Sequence, residues 1–365
     1  MRRDLADIAD CFAVATEFVS ATPITSGHIN DSYVLATRDG ARGSRYLLQR
    51  LNTSVFKQPA LVMANIQRVT KHMRSKLEAA GMRDIDRRVL TLIPTRDGRS
   101  HLARDDGSVW RLYQFIEGTR VTRSVETPEQ AYCAGREFGR FQSMLSDLAP
   151  PRLNETIPSF HDTPNRVAAL RRTAGADSCG RAAEAKPELE AVFSREALVD
   201  VLLAPHRAGA IPERAVHNDA KLSNVLFDAA TGDALCVIDL DTVMPGLSLF
   251  DFGDMVRALT CRAAEDETDL TTVALDVSLF EGVTAGYLAS AAGMLNATER
   301  GLLVEAGMLI TLEQAIRFLT DHLLGDAYYK IARPRHNLER CRCQLELLAS
   351  IERQAPALEE IARHA

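Results

Sequence analysis

Three oxygen-bearing side chains, Asp219, Asn224 and Asp239, have a spacing that could assemble a reactive site. Asn224 directly precedes a short predicted strand, residues 225–227, and Asp239 directly follows a second one, residues 234–238. The loop between these strands is so short that they must be antiparallel, which places the residue before the first strand beside the residue after the second. The spacing therefore predicts that Asn224 and Asp239 meet at the open end of a hairpin, with Asp219 at the same end.

This set of side chains suits phosphoryl transfer. Carboxylate and amide oxygens are ligands that Mg²⁺ uses together with the phosphates of a substrate. The reaction also needs a separate carboxylate that orients the attacking hydroxyl and accepts its proton. Taken singly, each of the three is more often a turn-forming residue, and only the trio points to chemistry. His217, two residues before Asp219, can fix the loop by hydrogen bonding.

Composition describes an ordinary globular chain. It has 365 residues, of which 46% are hydrophobic and 25% charged, with a formal net charge of -6. A mildly acidic chain has no global attraction to nucleic acid or to anionic lipid. Seven scattered cysteines indicate neither a disulfide framework nor a zinc site. The N-terminus carries acidic residues and the longest uncharged run is polar, so we expect no secretory signal, no membrane partner and a cytoplasmic location.

Hydrophobic periodicity supplies the elements that must position the trio. Two β-prone runs, 33–35 and 46–48, are separated by a Gly-rich turn and predict a hairpin. Apolar residues at helical spacing predict a helix over 62–77, and two further strands are predicted at 89–93 and 109–116. The first part of the chain is therefore predicted to be rich in strands.

The rest of the chain is predicted to be mainly helical. Thr127 caps one predicted helix, and Asn296 begins a capping box that opens a long helix through Leu323. Residues 171–186 show little pattern and are interpreted as a surface excursion. The change of character near 113–118 predicts a boundary between a small sheet lobe and a helical lobe.

The motif HNDAKLSN, residues 217–224, resembles the His-x-Asp-x-x-x-x-Asn pattern of the aminoglycoside phosphotransferase and choline kinase superfamily. CVIDLD, residues 236–241, supplies an aspartate in the place where protein kinases have Asp-Phe-Gly. Longer strings, spread in order over most of the chain, are similar to bacterial N-acetylhexosamine 1-kinases. They are SGHINDSYVL (26–35), YLLQRLNTSVF (46–56), GRFQSML (139–145), ETIPSFHDT (155–163), VIDLDTVMPGLSLFDFGD (237–254) and IRFLTDHLLGDAYYK (316–330).

The resemblance implies an α+β, protein-kinase-like fold of two lobes. It implies an antiparallel-sheet N-lobe at 1–113, a hinge at 114–118 and a mainly helical C-lobe at 119–365. Asp219 would be the catalytic base, and Asn224 and Asp239 would bind Mg²⁺. ATP would lie under the sheet lobe, held by main-chain groups of the hinge residues Gln114, Phe115, Ile116 and Glu117.

The sequence departs from the kinase pattern on the phosphate-binding side. SGHIND contains one glycine and is not a Gly-x-Gly-x-x-Gly loop. The lysine expected on the third strand is missing, and Gln49 or Arg50 stands there, of which strand alternation turns one toward the cleft. The helix that would carry a partner glutamate, residues 58–77, contains no acidic residue.

The resemblance also implies an acceptor site. His28, Arg317 and Tyr328 match residues that contact the sugar in such kinases, together with Asp219. Arg and His can donate to hydroxyls and to an acetamide carbonyl, and Tyr offers an apolar ring face and a hydroxyl. Asp241 is either a second metal ligand or a loop anchor, and we favour the anchor. Asp251 and Asp254 are expected to hold the following loop.

The implied function is phosphorylation of the anomeric hydroxyl of N-acetylglucosamine or N-acetylgalactosamine by Mg²⁺-ATP. The alternatives are a kinase of another small acceptor (aminoglycoside, choline or homoserine) and a non-catalytic nucleotide-binding relative. A metal-dependent glycosyltransferase has only the weak Asp239-Leu240-Asp241 motif in its favour. The expected partner is a small sugar and no nucleic acid, in a monomer or a homodimer.

Overall fold

An antiparallel sheet forms the first part of the fold. The computed structural model describes residues 2–14, 17–25, 29–39, 42–122 and 124–365. The strands of this sheet are β1 (Glu17–Ile24), β2 (Asp31–Asp39), β3 (Arg42–Arg50), β4 (Leu92–Ile93), β5 (Leu102–Ala103) and β6 (Val109–Gln114). They lie in the order β1-β2-β3-β6-β4, and β5 also pairs with β6. We call this part of the chain, up to the end of β6, the sheet lobe.

The predicted hairpin is β2 and β3. The two strands are antiparallel, with Val34 opposite Leu47. The predicted strand at 89–93 is shorter, because the Val89 N–H bonds the Ile85 carbonyl at 3.2 Å and extends a helical turn, so that β4 begins only at Leu92. The one predicted at 109–116 ends two residues early, at Gln114.

The predicted amphipathic helix is α2 (Pro59–Ala79), which follows α1 (Arg2–Ala9) in the chain. Its apolar stripe is fully or almost fully buried and consists of Val62, Ile66, Val69, Met73 and Leu77. These side chains join the same continuous core as Val225, Phe227 and Val237 of the predicted reactive hairpin. Burial of the stripe therefore fixes α2 against the part of the chain that carries the reactive trio.

The remainder is mainly helical, and we call it the helical lobe. Its helices are α3 (Pro128–Leu145), α4 (Thr163–Ala176), α5 (Lys186–Phe193), α6 (Leu203–Arg207), α7 (Ser248–Leu259), α8 (Val277–Ala291), α9 (Ala297–Arg300), α10 (Leu303–Leu323) and α11 (His336–His364). Its short strands are β7 (Thr119–Val121), β8 (Arg214–Val216), β9 (Val225–Asp228), β10 (Ala234–Val237) and β11 (Met244–Gly246). None of the helices in the described ranges has the length and hydropathy needed to span a membrane. The predicted α+β arrangement, an antiparallel sheet followed by a mainly helical region, is confirmed.

Two predictions about the helical lobe are wrong in detail. Residues 171–186 are mostly exposed or half-buried, but they are not irregular throughout, because α4 continues to Ala176, and Ala185 is buried. The long helix predicted from Asn296 is two helices. The capping box of Asn296 opens the four-residue α9, and the chain bends at 301–302 before α10 begins.

Helices α3 and α8 pack closely enough that glycine is required at the contact. A Cβ atom on Gly135 would lie 2.4 Å from the Val283 carbonyl oxygen, and one on Gly286 would lie 2.1 Å from that of Tyr132. Such distances are far below van der Waals contact with backbone that cannot easily move. The packing matters for the site because α3 also carries Phe138, whose ring meets the His217 ring edge-on at 5.5 Å.

We predict that Gly286→Ala lowers the free energy of unfolding by about 1–3 kcal/mol, because the added methyl group overlaps a main-chain oxygen. Gly293→Ala is the matched control, since a Cβ there meets no atom within 4 Å, and it should change stability by no more than about 0.5 kcal/mol. Denaturant unfolding of the two variants measures the difference. Equal stabilities would contradict the close packing of α3 and α8.

Candidate active site

The hairpin of β9 and β10 brings the predicted metal ligands to one end. Val225 lies opposite Val237, and the Ile238 N–H bonds the Asn224 carbonyl at 2.9 Å. Asn224 and Asp239 are therefore neighbours across the open end, as the spacing of the sequence indicates.

Asp219 lies beside them. The Asn224 side-chain amide donates to Asp219 Oδ2 at 2.8 Å and to the Asp219 carbonyl at 2.9 Å. This arrangement turns the amide nitrogen toward Asp219, so the amide oxygen is the atom that Asn224 can offer to a cation. The structure thus brings all three predicted residues together.

Lys221 is a further member of the site that the sequence reasoning missed. Its ammonium donates to Asp219 Oδ2 at 2.7 Å. Among the described residues, none donates a hydrogen bond to the other oxygen, Oδ1. The Asp-x-Lys spacing inside HNDAKLSN was the available signal, because residues two apart in an extended loop can share one side.

The charges around the trio shift the two carboxylates in opposite directions. Burial alone would raise the pKa of Asp219, but Lys221, His217 and Asn224 outweigh it and lower that pKa to about 2. Crowding by protein atoms and the charges of Asp241 and Asp219 raise the pKa of Asp239 to about 6. Asp239 is nevertheless an exposed residue, and water reduces the rise of its pKa. Asp219 is thus held ionised, and Asp239 lies where a cation would relieve repulsion.

A divalent cation fits this donor set. The described residues contain no ready cluster of three His, Cys, Asp or Glu side chains around a common point. Mg²⁺ needs no such cluster, because it takes one or two protein ligands and completes its shell with water and phosphate oxygens. The Asp239 carboxylate and the Asn224 amide oxygen are the residues that would hold it.

The loop that carries Asp219 is anchored from below by Asp251. One Asp251 oxygen accepts from the His217 N–H at 2.8 Å and from Gln142 Nε2 at 2.6 Å, and the other accepts from the Asn218 N–H at 2.6 Å. Asn218 has a left-handed backbone with φ 64°, a conformation that costs a non-glycine residue about 1–2 kcal/mol. The Asp251 carboxylate offsets that cost, which agrees with the expected loop-holding role.

His217 joins the two halves of the site. Its Nε2 contacts the Ile238 carbonyl at 2.9 Å, immediately before Asp239. The rings of Phe138 and Phe141 lie edge-on to the imidazole at 5.5 and 5.8 Å. The imidazole therefore fixes the spacing between the Asp219 loop and the Asp239 loop.

On the sheet-lobe side, the structure distinguishes Gln49 from Arg50. Gln49 faces inward, donates to Ser32 Oγ at 2.9 Å and accepts from Arg111 Nε at 3.0 Å. Arg50 points to solvent, with its nearest carboxylate oxygen, on Asp31, at 3.9 Å. Arg111, a buried arginine on β6, was not anticipated, because its segment resembles an ordinary apolar strand.

The predicted hinge follows the end of β6. The Phe115 N–H bonds the Arg45 carbonyl at 3.2 Å, and the Ile116 carbonyl accepts from Thr119 Oγ1 at 2.8 Å. Arg45 also pairs with Glu117. Gln114 and these hinge residues link the lobes, and adenine contacts by their main chain stay a prediction.

The predicted acceptor residues lie on and after α10. Arg317 lies over the rings of Phe160 and Tyr329, at 5.3 and 5.7 Å from their centroids, and donates to Gln314 at 3.1 Å. Tyr328, the predicted member of the pair, is 57% exposed and stacks edge-on against Tyr329. Tyr329 is thus the tyrosine that contacts Arg317.

His28 lies outside the described residues, so its predicted contact with the sugar stays a prediction. Arg317 is close enough to Asp219 for that carboxylate to help raise its pKa, together with Tyr329 and Glu313, against the effect of burial. A guanidinium, an aromatic surface and the Asp219 carboxylate therefore share one region.

A model of the APH phosphotransferase enzyme family matches residues 20–286, which is well over half of the chain. The chain belongs to this family. The matched region contains the Asp219 loop, the β9–β10 hairpin and the Asp251 anchor.

Several solved structures share the fold over almost the whole chain. An aminopropanol kinase associated with a microcompartment has a TM-score of 0.59 at 16% identity, with 98% of each chain covered. A spectinomycin phosphotransferase in complex with ADP and spectinomycin has a TM-score of 0.61 at 12% identity, with 96% of this chain and 98% of that chain covered. A choline kinase from Cryptosporidium parvum has a TM-score of 0.53 at 12% identity, covering 93% and 90%. At these identities the likeness shows the fold alone.

We predict that Lys221→Met moves the acid limb of the pH–rate profile to higher pH. Asp219 must be deprotonated to accept a proton, and with its pKa near 2 it stays so throughout the neutral range. Loss of the ammonium removes the interactions that offset burial, so the pKa of Asp219 rises and activity disappears sooner as the pH falls. The profile of kcat/KM for the acceptor between pH 4 and 8 measures this. Lys186→Met, at an exposed lysine, is the control, and an unmoved limb in Lys221→Met would count against the role of Lys221.

Proposed function

We propose that this phosphotransferase transfers the γ-phosphoryl group of ATP to the anomeric hydroxyl of an N-acetylhexosamine, N-acetylglucosamine or N-acetylgalactosamine. The products are the sugar 1-phosphate and ADP. Family membership supports the phosphotransferase chemistry, and the related structure with bound ADP is consistent with ATP as donor. The observation that carries the choice of acceptor is the position of Arg317 over Phe160 and Tyr329.

In the proposed reaction, the acceptor oxygen forms a bond to the γ-phosphorus while the bond to the ADP oxygen breaks. Asp219 takes the proton of the attacking hydroxyl, and its Oδ1 is the oxygen that Lys221 and Asn224 leave available. The anomeric hydroxyl is the most acidic hydroxyl of a sugar, so modest help from a strongly ionised carboxylate suffices. Asn224 and Asp239 hold Mg²⁺, which neutralises charge on the nucleotide phosphates when bound.

The charge of the acceptor region favours a neutral acceptor over a cationic one. Arg166 and Arg317 both lie against the Phe160 ring, at 6.0 and 5.3 Å. Glu313 pairs with Arg166 at 3.4 Å and also accepts from His161 and Thr163, at 2.9 and 2.6 Å. An amino-alcohol or an aminoglycoside would therefore meet the Arg317 guanidinium, which pairs with no carboxylate of the described residues, and a Glu313 whose two oxygens are already bonded.

The same contacts disfavour choline in particular. A quaternary ammonium binds to the faces of aromatic rings that form a cage. Here the Arg317 guanidinium already covers the Phe160 and Tyr329 rings. A sugar, by contrast, can accept hydrogen bonds from the guanidinium through its ring hydroxyls and its acetamide carbonyl.

We predict that ADP release with Mg²⁺-ATP is fast for N-acetylglucosamine or N-acetylgalactosamine and near background for choline, ethanolamine, homoserine and kanamycin. A coupled assay measures the ADP, and ³¹P NMR identifies a phosphate on the anomeric carbon. A faster reaction with a cationic acceptor would overturn the assignment of the sugar. Nucleotide binding with no ADP release for any acceptor would favour a non-catalytic relative.

Arg317→Ala should raise the KM for the N-acetylhexosamine about 10- to 100-fold, because one or more hydrogen bonds from a charged donor are lost. The KM for ATP should stay unchanged. Arg171→Ala is the matched control, since Arg171 also stacks on an aromatic ring, that of Phe193 at 4.1 Å, but is paired with Glu196. Steady-state kinetics of both variants decide whether the effect belongs to the acceptor site.

Asp219→Asn should lower kcat by about 10²–10⁴-fold, because the amide cannot accept the proton. Nucleotide affinity, measured by calorimetry with Mg²⁺-ADP, should change little. Asp233→Asn, at the exposed far end of the same hairpin, is the control. Near-normal turnover in Asp219→Asn would remove Asp219 from the role of base.

A further inference from the structure

The sheet lobe lacks the lysine of the kinase pattern on β3, and the one acidic residue of α2, Glu78, is exposed near the C-terminal end of that helix. A different positively charged side chain, that of Arg111, is buried close to the part of β3 where the lysine is missing. Arg111 on β6 lies directly across the sheet from Gln49 on β3. Its Nε donates to Gln49, and its Nη1 donates to Asp241 Oδ1 in the helical lobe.

The ion pair of Arg111 and Asp241 is almost fully withdrawn from water. The side chains are 1% and 3% exposed. Burying two charges is costly unless each is hydrogen-bonded on several sides. Here Gln49 satisfies a second donor of Arg111, and Asn30 Nδ2 donates to the second oxygen of Asp241 at 2.6 Å.

Asp241 is consequently bound by two separate elements of the sheet lobe. Asn30 belongs to the connection between β1 and β2, and its Oδ1 accepts from the Asn52 N–H at 3.0 Å, just beyond β3. Arg111 belongs to β6. Asp241 itself lies two residues after Asp239, so the pair fixes the loop that presents the predicted metal ligand.

Helix α2 contributes to the same loop without charge. Asn65, fully buried on its inner side, donates to the Val243 carbonyl at 2.9 Å and to the Asn154 carbonyl at 2.8 Å. The helix that carries an acidic residue in the kinase pattern therefore contributes the uncharged amide of Asn65 here. Arg111 provides the positive charge that the loop receives from the sheet lobe.

The backbone of this loop needs such an anchor. Asp239 has a left-handed conformation with φ 61° and ψ 54°, which a non-glycine residue adopts only when its surroundings impose it. Asp241 also repels the Asp239 carboxylate. A guanidinium on Asp241 both restrains the loop and cancels the neighbouring negative charge.

We propose that Arg111 is a positioning residue for the binding of Mg²⁺-nucleotide, because it supplies a buried ion pair between the sheet lobe and the Asp239 loop. Through Asp241 it sets where Asp239 stands relative to Asp219, although its own guanidinium is buried away from substrate. The inference rests on the proposed function in one respect, namely that the Asp239 loop binds a Mg²⁺-nucleotide. It does not depend on which acceptor is phosphorylated.

The experiment compares Arg111→Met, Arg111→Lys, Asp241→Asn and the double variant Arg111→Met/Asp241→Asn with the wild type. Calorimetry with Mg²⁺-ADP gives nucleotide affinity, a Mg²⁺ titration gives half-saturation, and thermal unfolding gives stability. We expect Arg111→Met to weaken both binding constants about 10- to 100-fold, as for other residues that orient a metal ligand. Arg111→Lys should restore only part of the loss, because an ammonium cannot reproduce the fork that bonds Gln49 and Asp241 together.

The double variant guards against loss of folding, because it leaves no unpaired buried charge. If Arg111 acts through Asp241, the loss of nucleotide affinity in the double variant should equal that in either single variant rather than the sum of the two. Arg195→Met is the matched control: it breaks the pair with Glu352, made by two 2.7 Å bonds from the turn after α5 to α11, and should lower stability with unchanged nucleotide affinity.

Two results would overturn the inference. One is that Arg111→Met and the double variant both lose stability while their affinities for nucleotide and Mg²⁺ stay within twofold of the wild type. The other is an additive defect in the double variant. In both cases a wild type that binds Mg²⁺-ADP leaves the proposed function intact, whereas a wild type that binds no nucleotide contradicts the proposed function as well.

Discussion

The site depends on one buried carboxylate that touches none of the predicted reacting groups. Asp251 accepts the N–H groups of His217 and Asn218, and Gln142 holds it in place. The bonds stabilise the left-handed Asn218 and so turn the chain that leads into Asp219. Thr242 Oγ1 then donates to the His217 carbonyl at 2.7 Å, which joins the Asp219 loop to the loop after Asp239. Both halves of the proposed site are built upon this anchor.

Three further carboxylates, those of Asp219, Asp239 and Asp241, belong to the site, and they differ in whether a cationic side chain pairs with them. Asp219 is paired with Lys221, and Asp241 with Arg111. Asp239 alone among these three has no cationic side chain of the described residues bonded to it. This imbalance matters because the charges of Asp241 and Asp219 both act on the Asp239 carboxylate and disfavour its ionised form. The imbalance gives the proposed Mg²⁺ a place to which the surrounding charges direct it, and it explains why two neighbouring aspartates can have different roles.

The sequence could predict what depends on local geometry. The convergence of Asn224 and Asp239 follows from antiparallel pairing across a short loop, and α2 follows from its apolar period. It could not predict Arg111, because its partner Asp241 is 130 positions away and a lone arginine within VWRLYQ looks like an exposed strand residue. Nor could the sequence predict that Tyr329, rather than Tyr328, contacts Arg317, because this contact also depends on the tertiary structure. Asp321 fixes both main-chain N–H groups after α10, at 2.8 and 2.9 Å, and so decides which ring turns inward.

The continuous core beneath α2 also limits how such an enzyme could be regulated. Swinging this helix outward would expose six buried apolar side chains, at about 1.5–3 kcal/mol each, a total on the order of 10 kcal/mol. That sum is comparable to the whole stability of a typical domain. A state in which α2 is displaced is therefore too high in free energy to be populated. A protein built in this way keeps α2 in one position, so movement of this helix cannot serve as its on–off switch.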